Sequence, residues 1–137
     1  MTYPINFLRG ISSKDWATEN GLVTAAAFQF DENHTKDGWM QQSICWEDND
    51  SVTELMMKQK NDRDEIQFKG GIARVPRESI IYINNLPASR NLMSYERETL
   101  FNNPYHGNLL LKQTTEKKLR SIIAATIALH VSDFIPR

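Results

Sequence analysis

Hydrophobic and polar residues alternate with a period of two in several segments, and this spacing predicts β-strands. The alternation is clear over residues 39–47, where Ile44 and Trp46 should point to one face of a sheet and Ser43 and Cys45 to the other. Comparable or continuously apolar segments predict strands at residues 3–11, 22–30, 66–75, 78–86 and 106–113. The pattern therefore predicts a sheet of five or six strands.

Helical spacing is strongest near the end of the chain. Leu119, Ile123 and Ile127 recur every four residues within 114–134, and alanines between them suit close packing of a helix on a sheet. A shorter central helix should begin at Ser51, which forms the sequence pattern of a capping box with Glu54.

A further short helix is predicted at residues 94–101. Because the strands come in runs and the helices are unevenly placed, we predict an α+β fold with a mixed, mostly antiparallel sheet. The long C-terminal helix should pack on that sheet. Residues 1–137 are expected to form a single domain, since this length buries enough surface for one core.

Composition indicates the setting of the protein. Cys45 is the only cysteine, so no internal disulfide can form and a reducing compartment is favoured. The first ten residues lack a signal-peptide pattern, and no apolar run approaches the roughly 18 residues of a membrane span. We therefore expect a cytoplasmic protein without a membrane segment.

The charges are unevenly distributed along the chain. Residues 1–65 hold 6 basic and 12 acidic side chains, whereas residues 66–137 hold 10 basic and 5 acidic ones. If the two halves form separate faces, the basic face could attract phosphates or an acidic protein. If they intermix, the charges neutralise each other.

Four acidic residues cluster before and within the central helix. A calcium loop would need further oxygen ligands and a glycine, but Val52 and Thr53 occupy those positions. The start of a helix attracts acids through its dipole, which accounts for the cluster without a metal. We therefore expect no metal site and no cofactor. The cluster comprises Glu47, Asp48, Asp50 and Glu54.

Arg9 is a charged residue within an apolar strand, so it must be paired or must face a cleft or an edge. In the segment from Leu8 to Ile11, an arginine lies near the end of an early strand and is followed by glycine. This segment resembles the opening of ADP-ribosyltransferase-like folds. The resemblance implies that Arg9 cradles a nucleotide or phosphate. The later Ser-Thr or His-Tyr pair of that family has no match, since Tyr105 and His106 stand in reversed order.

His106 follows a turn-forming segment and precedes Gly107, which would let a ligand approach closely. A histidine in such a loop can act as a general acid or base near neutral pH. A plain turn with an exposed His106 is the alternative. Cys45 lies in the middle of a strand and is expected to be a buried structural thiol rather than a nucleophile.

The long segment 87–108 contains arginine, tyrosine and methionine, which are favoured in protein interfaces. The first hypothesis is therefore a non-catalytic interaction or accessory module that docks on a protein partner. The oligomeric state is not predicted. The expected binding residues are Arg90, Met93, Tyr95, Arg97 and Tyr105.

Two alternatives remain open. The first is a transferase-type enzyme acting on a nucleotide or RNA phosphate, in which Arg9 holds the anion and His106 transfers a proton; both must then lie in one cleft. The second is a nucleic-acid-binding domain, for which the basic residues of the later half and the tyrosines among them would contact a single strand. The slightly acidic net charge of −1 disfavours the second alternative.

Overall fold

A computed structural model describes residues 3–18 and 20–137 of the chain. Within these residues seven strands form one antiparallel sheet, ordered β5-β6-β3-β1-β4-β7, with β2 paired to β3. The strands are β1 (Asn6–Ile11), β2 (Thr35–Lys36), β3 (Trp39–Trp46), β4 (Gly71–Pro76), β5 (Met93–Arg97), β6 (His106–Lys112) and β7 (Asp133–Ile135).

The described part of the chain also contains three α-helices and three 3-10 turns. The longest helix is the last one, so the predicted α+β fold with a mostly antiparallel sheet and a long C-terminal helix is confirmed. The helices are α1 (Ser51–Lys58), α2 (Glu78–Asn85) and α3 (Lys117–Leu129), and the 3-10 turns are Lys14–Trp16, Ala25–Phe28 and Pro87–Ser89.

The sheet separates two hydrophobic clusters, and the alternation within β3 assigns its side chains to them. Ile44 and Trp46 lie in the larger cluster, which α2, α3 and the turn Ala25–Phe28 cover. Cys45 points the other way, into a smaller cluster that includes Val52 and Met56 of α1. The predicted orientation of these side chains is therefore confirmed.

The indole of Trp46 is the centre of the larger cluster next to β5. It is fully buried, and its ring centroid lies 4.7 Å from that of Tyr3, 6.1 Å from that of Phe7 and 5.2 Å from that of Tyr95. Its Nε1–H donates a hydrogen bond of 3.2 Å to the Glu96 carbonyl, so the one polar atom of the ring is satisfied. This contact joins β3 to the edge strand β5 across β6.

The strand predicted at residues 78–86 is wrong, because this segment forms α2. Ile80 and Ile83 are buried while Ile81 and Tyr82 are half exposed, which is a helical spacing. The β-branched isoleucines favoured a strand by propensity, but packing of one helical face against α3 and β5 overrides that preference.

Two other predicted elements are also wrong. The segment 22–30 forms the 3-10 turn Ala25–Phe28 instead of a strand, and its Ala27 and Phe28 pack into the larger cluster. The helix predicted at residues 94–101 is absent because Met93–Arg97 pairs with β6 as the edge strand β5. In both cases a contact distant in sequence decides the local structure.

The helix predicted to start at Ser51 is present, but the capping box is not formed. The Ser51 N–H donates instead to Asn49 Oδ1 at 2.9 Å, so an asparagine outside the helix satisfies this backbone donor. At α3, likewise, no side chain caps the first turn, and Glu116 occupies the N-cap position.

The acidic cluster contributes to ion pairs that close one end of the sheet. Glu47 accepts hydrogen bonds from Arg74 Nε at 2.9 Å and Nη2 at 2.7 Å, and Arg74 Nη1 donates to Asp133 at 2.7 Å. These bonds from Arg74 hold the pKa of the Glu47 carboxyl below its ordinary value. A second acid of the cluster, Asp48, pairs with Arg97 at 2.6 Å.

Glu47→Gln should lower the free energy of unfolding at pH 7 by about 1–2 kcal/mol, since Arg74 loses one of its two carboxylate partners and keeps only Asp133. The ionised form is favoured by folding, so this contribution is complete above the ordinary value of 4.5 and is lost as pH falls through the depressed folded-state pKa. Urea unfolding at several pH values measures it. Glu65→Gln, at an exposed site, is the control. A constant difference between wild type and Glu47→Gln down to pH 2 would contradict the assignment.

Candidate functional site

A separation between two central strands creates the candidate site. β1 and β3 pair at Phe7 with Trp46 and at Leu8 with Cys45, and no further pairs follow toward the end of β1. The side chain of Arg9 bridges this separation: Nη1 donates to the Ser43 carbonyl at 2.7 Å. Its Nε donates to the carbonyl of Ala27 in the neighbouring 3-10 turn at 2.9 Å. A guanidinium thus takes the place of backbone pairing.

The charge of Arg9 has no acidic partner among the described residues. Its two acceptors are neutral carbonyls, and no carboxylate lies within salt-bridge distance of it. Desolvation by the surrounding protein lowers the pKa of Arg9 to about 10, so the group still carries its charge at neutral pH. Arg9 is half-buried, and keeping an uncompensated charge in a desolvated position costs folding free energy; such groups concentrate at functional sites.

The separation opens into a cavity of about 340 Å³, which we call the Arg9 cavity. No Asp or Glu lines it among the described residues, so its electrostatic character is set by Arg9. The walls combine apolar side chains with hydroxyl, amide and imidazole groups. They include Arg9, Ser12, Phe68, Asn103 and His106.

His106 lies in the same cavity as Arg9, as the enzyme hypothesis requires. It is the cross-strand neighbour of Cys45, at the start of β6. Its Nδ1 lies 3.1 Å from the Glu98 carbonyl and 3.4 Å from the Glu98 carboxylate. A carbonyl can only accept, so Nδ1 carries the proton of the neutral ring and Nε2 is the basic nitrogen. The plain exposed turn is therefore not what the structure shows, since the imidazole is only 12% exposed.

Cys45 also lines the cavity, but its chemistry does not favour catalysis. The side chain is 3% exposed, and Asn103 Nδ2 donates to its sulfur at 3.2 Å. Burial raises the pKa of the Cys45 thiol, which the hydrogen bond from Asn103 only partly offsets. A protonated thiol is a weak nucleophile, so a Cys–His pair is not the reacting group here.

A second, more polar concavity adjoins the first and shares Arg9, Ser43 and His106 with it. It measures about 300 Å³, and we call it the glutamine cleft. Its remaining walls are amides, acids and one further histidine: Gln29, Asp31, His34, Gln41, Gln42, Glu98 and Asn108.

The predicted interface residues do not form one exposed surface. Met93 is buried, Tyr95 packs on Trp46, and Arg97 pairs with Asp48. The Tyr105 hydroxyl accepts a hydrogen bond from Asn49 at 3.4 Å.

Arg90 is exposed, at the end of the turn after α2. The structure thus brings Arg9 and His106 together and gives four of the five interface candidates contacts within the chain.

Across residues 3–18 and 20–137, no group of three or more His, Cys, Asp or Glu side chains is placed to hold a metal ion. In the same part of the chain, no helix has the length and apolar character needed to cross a membrane.

Sequence reasoning missed most of the residues that line the Arg9 cavity and the glutamine cleft. One signal was available: Gln42 falls in phase with Met40, Ile44 and Trp46, so a polar residue occupies an inward position of β3. Phe68 and Asn103 carry no such signal, because they lie outside the strands and reach the site only through the tertiary fold.

No protein-family model, curated protein or solved structure matches this chain. The protein is thus of the α+β class, and its Arg9 cavity lies where two strands of the sheet separate.

Cys45 should be almost inert in the folded protein, because its thiol is buried and its pKa is raised. Alkylation by iodoacetamide at pH 8, followed by mass spectrometry, should be at least about tenfold slower in buffer than in denaturant, because the sulfur is shielded from the reagent and its raised pKa lowers the thiolate fraction. Ser121→Cys supplies an exposed control thiol in the same molecule. Equal labelling of the two cysteines under native conditions would show that the Arg9 cavity is open at Cys45.

Proposed function

We propose that the protein binds a phosphate-bearing small molecule in the Arg9 cavity. The observation that carries this proposal is the charged, desolvated guanidinium of Arg9, which meets only neutral acceptors among the described residues. An anion would supply the missing countercharge. Two hydrogen bonds to the backbone fix the guanidinium in advance, so little side-chain entropy is lost on binding.

Size and wall chemistry support the same proposal. A cavity of about 340 Å³ falls at the small end of ligand sites, which span roughly 300–1,000 Å³. The absence of acids from its described walls removes the repulsion that an anion would meet in the glutamine cleft, where Asp31 and Glu98 lie. A phosphate has more acceptor oxygens than a carboxylate, and Arg9, Ser12 and Asn103 each bring a donor group to the wall of the cavity.

His106 supports the enzyme alternative, in which the bound phosphate ester is turned over. Glu98 orients the imidazole through Nδ1, leaving the basic Nε2 without a hydrogen bond to any described residue. A base held in this way can take a proton from an attacking hydroxyl or water as that oxygen bonds to phosphorus. The P–O bond of the ester then breaks, and the imidazolium returns the proton to the departing alcohol oxygen. We propose a transferase-type reaction as the activity to test. The reducing compartment inferred from the single cysteine fits a cytoplasmic location for such a protein.

Docking on another protein stays a prediction, as does binding of nucleic acid. Arg90 and the exposed side chains Leu22 and Leu129 are accessible for a partner, the leucines being 66% and 86% exposed. The anion proposal is preferred because its two predicted residues share one cavity.

Arg9→Lys should weaken binding of ribose 5-phosphate at least about tenfold, or about 1.4 kcal/mol, because an ammonium cannot reproduce the planar fork of a guanidinium. Isothermal titration calorimetry measures the affinity, with acetate and glutarate as carboxylate comparators. Arg90→Gln removes a positive charge from the exposed surface and is the matched control, expected to stay within about twofold of wild type.

Two results would refute the anion site. One is the absence of binding by any phosphate compound at millimolar concentration. The other is an Arg9→Lys variant, folded by circular dichroism, whose affinity equals that of wild type.

His106→Gln should abolish release of the alcohol from a phosphate ester while leaving ester affinity within about threefold, because the imidazole acts on the proton and Arg9 holds the anion. Product formation by chromatography and affinity by calorimetry separate these effects. His130→Gln, at a histidine after α3 that lines neither the Arg9 cavity nor the glutamine cleft, is the control. Turnover that survives in His106→Gln would exclude the imidazole as the proton carrier, and absence of turnover in wild type would leave a binding protein without this chemistry.

A further inference from the structure

Gln42 is a buried polar residue with an unmet acceptor. It is 4% exposed, and its Nε2 donates to the Gln29 carbonyl at 3.3 Å. That carbonyl can only accept, so it fixes which end of the amide faces it. The other end, Oε1, is buried and has no hydrogen-bond partner among the described residues. An acceptor left in this state is costly unless a donor reaches it.

The donor that fits this acceptor is neutral. The two carboxylates in the glutamine cleft are already engaged: Asp31 lies 3.5 Å from His34, and Glu98 accepts from Asn108 at 3.2 Å and adjoins His106. An ammonium group would need a free carboxylate to offset its desolvation. A hydroxyl needs only an acceptor with an open lone pair, which the amide oxygen of Gln42 provides.

The position of Gln42 connects it with the proposed anion site. The glutamine cleft and the Arg9 cavity share Arg9, Ser43 and His106 as walls, so Arg9 borders both spaces. Gln42 directly precedes Ser43 on β3. The backbone carbonyl of Ser43 accepts a hydrogen bond from Arg9 Nη1 at 2.7 Å. A molecule anchored at Arg9 by its phosphate can therefore extend toward Gln42.

We infer that the glutamine cleft binds a hydroxyl-bearing portion of the same ligand, with Gln42 Oε1 accepting from a hydroxyl. This inference rests on the proposed phosphate site and specifies its ligand class as a phosphorylated sugar, free or within a nucleotide. Arg9 selects for the phosphate, and Gln42 selects for the hydroxyl next to it. These two roles match the residues that line each space. The Arg9 cavity has a cation and no described acid in its walls, and the glutamine cleft has many hydrogen-bond acceptors.

The test compares two phosphate esters that differ in hydroxyl groups, methyl phosphate and ribose 5-phosphate, by calorimetry on the full chain. Wild type should bind ribose 5-phosphate at least about tenfold more tightly, because a buried acceptor left unpaired discriminates strongly. In Gln42→Met this preference should fall below about twofold, while the affinity for methyl phosphate stays unchanged. Gln113→Met, at an exposed glutamine, should keep the full preference.

A second measurement decides the matter if Gln42→Met does not fold. In wild type, the side-chain amide signals of Gln42 in a ¹⁵N-edited NMR spectrum should shift with ribose 5-phosphate and stay in place with methyl phosphate. If both esters bind equally well and neither moves these signals, the hydroxyl site is refuted and the phosphate site survives. If neither ester binds, both proposals fall.

Discussion

Two hydrogen bonds from the Arg9 guanidinium, to the carbonyls of Ser43 and Ala27, hold together the part of the sheet where β1 and β3 no longer pair. They substitute for a stretch of backbone ladder and tie the turn Ala25–Phe28 to the sheet. The same bonds leave a cation in a desolvated place without an acidic partner among the described residues. The separation of the strands forms the Arg9 cavity, and the charge of Arg9 determines the ligand chemistry that we propose for it.

Contacts at the Trp46–Glu47 end of β3 anchor this strand to its neighbours. On one side the buried indole of Trp46 connects β3 with β5 through aromatic contacts and the hydrogen bond to Glu96. At the sheet end, Arg74 joins Glu47 and Asp133. Both sets of contacts fix β3, the strand that carries Ser43 and Gln42. A fixed frame lowers the cost of holding the groups that face a ligand.

The comparison of prediction with structure shows which signals were reliable. Alternation over residues 39–47 correctly assigned the faces of β3, because both faces of that strand pack into hydrophobic clusters. One face lies in the larger cluster under α2 and α3, and the other lies in the smaller cluster with α1. The segment 78–86 was wrongly predicted as a strand because isoleucine propensity outweighed its helical spacing. Arg9 and His106 were identified as candidates from local context alone, yet nothing local indicated that they share a cavity. Gln42 was overlooked although it interrupts an apolar phase of β3.

The amino-acid sequence by itself determined the α+β class, the long C-terminal helix and the presence of a charged residue where an apolar one is expected. These properties depend on periodicity and composition, which are local and can be read along the chain. Only the tertiary structure decided that residues 94–101 begin as an edge strand, that Arg9 replaces backbone pairing, and that β6 delivers His106 to the same opening. Those outcomes depend on pairing between segments far apart in sequence, whose energies no local pattern contains.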